Sequence, residues 1–256
     1  MIKAAFFDID GTLVSFKTHH VPESAIRAVE NLRRQGVKVF LATGRHPIWV
    51  KNLGFEFDGF VALNGGYCTT RTGEVIYKQA LSADDFKAML KYQHEVEPFA
   101  CACVLDSQIY VNYINDIAQG VYNLVGIAAP EIRDIDQFAD LPVYQLIAFF
   151  NSEQEKNIMK VMPHSVAARW HPDFADVVPL GINKAVGIQH VLSRYDISQD
   201  EIIAFGDGGN DIAMLQFAGI GVAMGNAADE VKASADYVTS SVDEDGIAKA
   251  LAQYIC

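Results

Sequence analysis

Ile2-Lys3-Ala4-Ala5-Phe6-Phe7-Asp8-Ile9-Asp10-Gly11-Thr12 is the stretch from which the fold is read. A short, largely apolar run closes abruptly on two aspartates and a Gly-Thr pair. Such a run, with no polar alternation, predicts a strand buried on both faces. Further along, Ala25, Val29 and Leu32 recur at helical spacing, which predicts a helix over 23–35 stopped by Gly36. A second strand, Val37 to Ala42, ends at Thr43-Gly44-Arg45, and a third, Phe60 to Leu63, ends at Asn64-Gly65-Gly66. The same rhythm returns late in the chain. Ala185, Ile188, Leu192 and Tyr195 form a helical stripe. Ile202 to Phe205 is an apolar strand ending at Gly206-Asp207-Gly208-Gly209-Asn210-Asp211, followed by a helix through Met214 and Leu215 and a strand at Ile220 to Ala223. Strands alternating with helices predict an α/β fold with a parallel sheet covered on both faces.

Between these outer segments the rhythm changes. Gly66 to Arg71 and Glu74 to Gln79 flank Thr72-Gly73 as a hairpin, and Ser82 with Asp85 reads as a capping box. Short strands near 99–105, 108–113, 143–150, 166–170 and 175–178 alternate with helices near 116–124 and 153–162. This mixture predicts an α+β insert within the outer domain.

Composition narrows the function classes. Half of the 256 residues are hydrophobic, and 20 Lys and Arg stand against 32 Asp and Glu, a net charge of -12. A sizeable core can form, and the acidic balance argues against a nucleic-acid partner. No apolar run approaches the roughly 18 residues that span a bilayer, and the N-terminus offers no room for a signal peptide. Cys68, Cys101, Cys103 and Cys256 fit neither a disulfide framework nor a two-pair zinc site. They read as packing residues in a reducing cytoplasm.

Ligands of open parallel sheets bind beyond the carboxyl ends of the strands. Here those ends carry Asp8 and Asp10, Thr43 and Gly44, and Asp207, Asn210 and Asp211. Carboxylates converging in one crevice repel, and the usual remedy is a divalent cation with oxygen ligands, Mg²⁺ foremost. Lys184, opening the late helical stripe, adds a positive charge.

Asp8-Ile-Asp10-Gly-Thr12, Ala42-Thr-Gly-Arg45, Lys184 and Gly206-Asp-Gly-Gly-Asn-Asp211 together resemble the four motifs of the haloacid dehalogenase superfamily. Within it the chain is similar to the Cof-type sugar-phosphate phosphatases. Asn64-Gly65-Gly66 resembles the Asn-Gly-Ala stretch of that group, and Asn183 stands where Ser often precedes the lysine. The resemblance implies a Rossmann-like catalytic core over 1–81 and 181–256 and a large inserted α+β cap over 82–180 that sets specificity. It implies Asp8 as the nucleophile that forms an aspartyl-phosphate, and Asp10 as general acid and then base, its pKa raised by Asp8 and Asp207. Thr43, Gly44, Lys184 and Asn210 would bind the phosphoryl group. Asp8, Asp10 through its carbonyl, and Asp207 would hold Mg²⁺, with Asp211 supporting them. Arg45 reads as structural or phosphate-proximal. Tyr113, Arg169, Trp170, His171 and Asp173 are the cap residues open to a substrate-contacting role.

The expected partner is a small phosphorylated metabolite, with sugar phosphates foremost, and the chain is expected to be a monomer or weak homo-oligomer. Three other readings stay open: a phosphomutase of the same superfamily, a phospho-aspartate switch or binding module without turnover, and a glycosidase with paired carboxylates. Asp10 and the insert weigh against the switch. The Gly-rich loop and Lys184 fit phosphate better than a glycosidic bond.

Overall fold

A computed structural model describes residues 1–50 and 52–254. The chain enters through β1 (Ala4–Phe7), α1 (Glu23–Arg34), β2 (Lys38–Ala42), β3 (Gly59–Ala62), β4 (Tyr67–Thr70) and β5 (Val75–Lys78). It continues through α2 (Ala83–Glu95), β6 (Ala100–Val104), β7 (Ile109–Val111), α3 (Asp116–Leu124), β8 (Glu131–Ile132), β9 (Gln145–Phe149), α4 (Ser152–Val161), β10 (Ser165–His171) and β11 (Phe174–Pro179). It finishes with α5 (Lys184–Tyr195), β12 (Ile202–Gly206), α6 (Ile212–Phe217), β13 (Ile220–Ala223), α7 (Asp229–Lys232), β14 (Tyr237–Val238) and α8 (Gly246–Tyr254). Two compact units result, one of Met1–Tyr77 with Asn183–Cys256 and one of Lys78–Ile182.

The first unit is an α/β layer structure around an eight-stranded sheet ordered β14-β13-β12-β1-β2-β3-β4-β5. From β14 to β3 every pairing is parallel, and β4 returns antiparallel to β3. β1 lies in the middle, and all four of its residues have zero exposure. That burial is why its run is continuously apolar. Alternate residues serve opposite faces. Phe6 stacks on Phe40 of β2 at 5.1 Å, in the cluster with Ile188, Val191 and Leu192 of α5. Phe7 stacks on Phe205 of β12 at 4.8 Å. The chain leaves β1 toward β2 on one side and returns to β12 on the other, so the strand order reverses beside β1. That reversal opens a crevice at the strands' carboxyl ends.

The second unit is α+β. Its six-stranded sheet is ordered β10-β11-β9-β6-β7-β8, antiparallel except for β7 with β8. Phe86, Met89, Phe99, Leu146, Phe150 and Ile158 belong to its own core. Cys101 and Cys103 are buried in that core as free thiols, and Cys68 is free and buried in the first unit; Cys256 falls outside the described residues. Burial pushes the Cys68 thiol up to about 12, so it stays an inert packing group.

One local expectation is corrected. Ser82 caps α2 by accepting the Asp85 N–H, but Asp85 does not reach back to complete a capping box. On Oδ2 its fully buried carboxylate instead accepts from the His164 N–H and the Ser165 hydroxyl, while Oδ1 meets His164 Nδ1 at 3.0 Å. A buried carboxylate is drawn to whichever donors can satisfy both oxygens, and the segment before β10 supplies them.

Candidate active site

The strand ends place the polar residues of the motifs together. Asp8 follows β1, where its N–H bonds the Phe205 carbonyl of β12 at 3.0 Å. Asp207 follows β12, and Asp211 lies one short turn further on. Oxygens of Asp8, Asp207 and Asp211 all lie within 4.8 Å of one another. Lys184, at the first position of α5, reaches into this group with zero exposure. Its Nζ donates to Asp8 Oδ1 at 2.7 Å and to Asp211 Oδ1 at 2.6 Å. Asn183 caps α5 by accepting the Val186 N–H. Asn and Ser cap helices equally well, so Asn183 holds the lysine where a Ser would.

Asp211 is an anchor. Its Oδ2 accepts from the N–H groups of Asp207 and Gly208 at 3.0 and 2.9 Å, while Oδ1 takes the lysine. Both oxygens are thereby engaged within the protein. Asp207 is held from two sides, by the Thr12 hydroxyl on Oδ1 at 2.7 Å and by Asn226 Nδ2 on Oδ2 at 3.2 Å. Gly11 permits this approach. Its φ is +85°, and a Cβ there would stand 2.2 Å from Asp207 Oδ2.

Electrostatics follow from the crowding. Burial raises Asp8 well above the usual carboxylate range, opposed by Lys184 and reinforced by Asp211, Asp207 and Asp10. Burial pushes Asp207 up to about 7, with Asp211 adding to it and Thr12 and Lys184 opposing. Burial acts to lower Lys184, but the two carboxylates beside it prevail and raise its pKa. Three carboxylates against one ammonium leave excess negative charge, which a hard divalent cation would neutralise.

Asp10 is close enough to add to the rise of both Asp8 and Asp207, and it also has a cationic neighbour. Its carboxylate meets Arg45, whose Nε and Nη2 donate to Oδ2 and Oδ1 at 2.7 and 2.6 Å. Thr43 follows β2 and is buried, its Oγ1 accepting the Arg45 N–H at 3.1 Å. Gly44 lies between them. Asn210 donates to Asn64 Oδ1 at 2.9 Å, joining the Gly-rich loop to the loop after β3. Leu63, Asn64 and Gly65 all have positive φ, and Gly65 packs against the start of α5.

Asn64 belongs to a stretch the sequence marks, without a role of its own there; Asn226 carries no motif and no sequence signal points to it. In the second unit, Arg169 is spent internally, on Glu155 and on the carbonyls of Phe150, His171, Pro172 and Phe174. His171 Nδ1 accepts the Asp173 N–H, and Tyr113 and Asp173 are exposed. The Trp170 side chain falls outside the described residues.

A family description, haloacid dehalogenase-like hydrolase, matches residues 5–251. The chain is 37% identical to the Bacillus subtilis protein named "Putative phosphatase YkrA", over 97% of this chain and 96% of that protein. A solved sugar phosphatase of haloacid dehalogenase subclass IIB superposes with a TM-score of 0.91 at 40% identity, covering 98% of each chain. A phosphatase of the superfamily from Bacteroides thetaiotaomicron gives 0.91 at 40% identity, covering 99% of this chain and 95% of that one. No helix among the described residues is long and apolar enough to cross a membrane. The four motifs, the sheet order and the full-length match converge on one assignment: the chain belongs to the haloacid dehalogenase-like hydrolase family, and it is an enzyme.

Proposed function

We propose that this enzyme is a Mg²⁺-dependent phosphatase that hydrolyses small phosphorylated metabolites, sugar phosphates foremost, through an aspartyl-phosphate on Asp8. The observation that carries this reading is the buried Lys184 ammonium bridging Asp8 and Asp211, with Asp207 beside them. That arrangement gives one carboxylate a fixed position, a neighbouring cation and a flanking set of hard oxygen donors. The similarity to phosphatases, one of them a sugar phosphatase, supports the substrate class.

The donor set fits Mg²⁺, which prefers carboxylate and carbonyl oxygens. Asp8, Asp207 and the Asp10 carbonyl would hold it, with Asp211 keeping Asp207 and Lys184 in place. Bound there, the cation would neutralise charge on the phosphoryl oxygens. The chain's own residues do the rest. Asp8 attacks phosphorus, and Lys184 offsets the repulsion between carboxylate and phosphate. The Thr43 hydroxyl, the Gly44 N–H and Asn210 bind the phosphoryl oxygens. Asp10 delivers a proton to the departing alkoxide and takes one from the water that hydrolyses the aspartyl-phosphate.

The test is phosphate release from p-nitrophenyl phosphate and a panel of sugar phosphates, with Mg²⁺, with EDTA, and with Asp8→Asn. Release that needs Mg²⁺ and is lost in the variant is the expected result. An isomerised sugar phosphate in place of inorganic phosphate would turn the reading to a mutase. Release that persists in Asp8→Asn would overturn the role of Asp8.

A further inference from the structure

Arg45 is paired with Asp10, and the mechanism above gives it no role. Arg45 belongs to the loop after β2 and Asp10 to the loop after β1, so the pair joins the ends of neighbouring strands. Two hydrogen bonds of 2.6 and 2.7 Å tie both carboxylate oxygens to one guanidinium, and the side chains are 13% and 14% exposed. The arginine is itself held. Its N–H bonds Thr43 Oγ1 at 3.1 Å and its Nη1 approaches the Trp49 carbonyl at 3.5 Å.

We infer that Arg45 is a positioning residue for the second half of the reaction, fixing Asp10 as the acceptor of the hydrolytic water's proton. The inference rests on the reading of Asp8 as nucleophile and Asp10 as proton carrier. A planar guanidinium fork sets both the plane and the rotation of a carboxylate, which a point charge cannot do. Each carboxylate oxygen has two lone pairs, and the fork takes one on each. One remains on each oxygen for a water. Held this way, the carboxylate keeps a lone pair free to take the water's proton. The geometry therefore suits a base whose orientation is fixed before the water arrives.

The step balances. Water oxygen bonds to phosphorus of phosphorylated Asp8 as the Asp8 oxygen–phosphorus bond breaks, returning its electron pair to the Asp8 carboxylate. The water's proton passes to an Asp10 oxygen. Inorganic phosphate leaves, and the proton on Asp10 is given to the leaving-group oxygen in the next turnover.

p-Nitrophenyl phosphate separates the two halves, because p-nitrophenolate departs without needing a proton. Arg45→Met and Arg45→Lys are mixed with it and Mg²⁺ in a stopped-flow instrument, alongside the unaltered enzyme. Arg45→Met is expected to release close to one nitrophenolate per site in a burst. Its steady rate should then be on the order of 100-fold slower, the scale of lost general-base help. Arg45→Lys should fall between. A denaturation curve for each variant reports folding, and if Arg45→Met does not fold, the burst in Arg45→Lys decides. Equal slowing of burst and steady phases would mean a merely structural arginine and overturn the inference. So would a raised KM with an unchanged steady rate, which would mean a phosphate-binding arginine. In both cases the phosphatase reading stands. Absence of Mg²⁺-dependent release from the unaltered enzyme would sink both together.

Discussion

Asn226 ties three loops together with one side chain. Its Nδ2 donates to the Gly11 carbonyl at 2.9 Å and to Asp207 Oδ2, while its Oδ1 accepts the Val242 N–H at 3.0 Å. Groups that orient a metal-ligating carboxylate typically matter by 10–100-fold in metal affinity. Asn226→Ala should therefore raise the Mg²⁺ concentration needed for half-saturation by about that factor. Calorimetric titration of Mg²⁺ checks this directly, and turnover at saturating Mg²⁺ should stay close to that of the unaltered enzyme. Asn226 could not be picked out in the sequence. A loop asparagine has no periodicity, and most asparagines serve turns. Asp8, Asp10, Thr43, Asp207 and Asp211 were legible for the opposite reason. Each lies at or within a few residues of the carboxyl end of an apolar strand, where packing alone gives no cause for a polar side chain. Arg45 was legible as present but not as paired, because its partner lies on a different strand end.

At the scale of elements, the loop after β3 shows how a single atom can matter. Gly65 has φ +99°, and a Cβ there would stand 2.1 Å from the Asn183 carbonyl oxygen. Gly73 has φ +89° but open space around it. The pair separates two costs. Gly73→Ala pays only for a left-handed backbone, about 1–2 kcal/mol. Gly65→Ala adds a collision with the first turn of α5 and should lose roughly 3 kcal/mol or more, measured by urea denaturation. Gly66, at φ -77°, needs no glycine, which is why another small residue can stand in its place. Most elements were legible because burial leaves a clear mark, a helical period in α1 and an unbroken apolar run in β12. The two-residue strands β8 and β14 were not, since so short a run carries no period at all. Asp85 misled because its sequence spacing fits a capping box, while its partners come from residues 164 and 165.

At the scale of the whole chain, two separate cores imply two cooperative units. Mg²⁺ at 100 times its dissociation constant adds about 2.7 kcal/mol to whatever holds it. Calorimetry should show the unit carrying Asp8 shifting upward with Mg²⁺, while the transition of Lys78–Ile182 stays in place. Without metal, pH acts on the first unit in a definite direction. Asp207 rises from an ordinary 3.8 to about 7 on folding. Between those limits the native state holds a proton that the unfolded chain has released, so stability falls as pH rises through that window. Denaturation in EDTA at pH 5 and pH 8 checks the sign, with the midpoint lower at pH 8. Saturating Mg²⁺ should narrow the difference, because the cation takes the proton's place.

Lys184 is the one lysine with zero exposure among the described residues. An acylating reagent in solution reaches every surface amine at once but cannot touch this one in the native state. Its modification therefore waits for the chain to open, and at low reagent its rate tracks the fraction of molecules open at any moment. Peptide mass spectrometry that follows the acyl mark on Lys184 would read the breathing of the Asp8, Asp207 and Asp211 cluster in unlabelled, unmutated protein. Product inhibitors and substrates could then be ranked by how far they slow that mark.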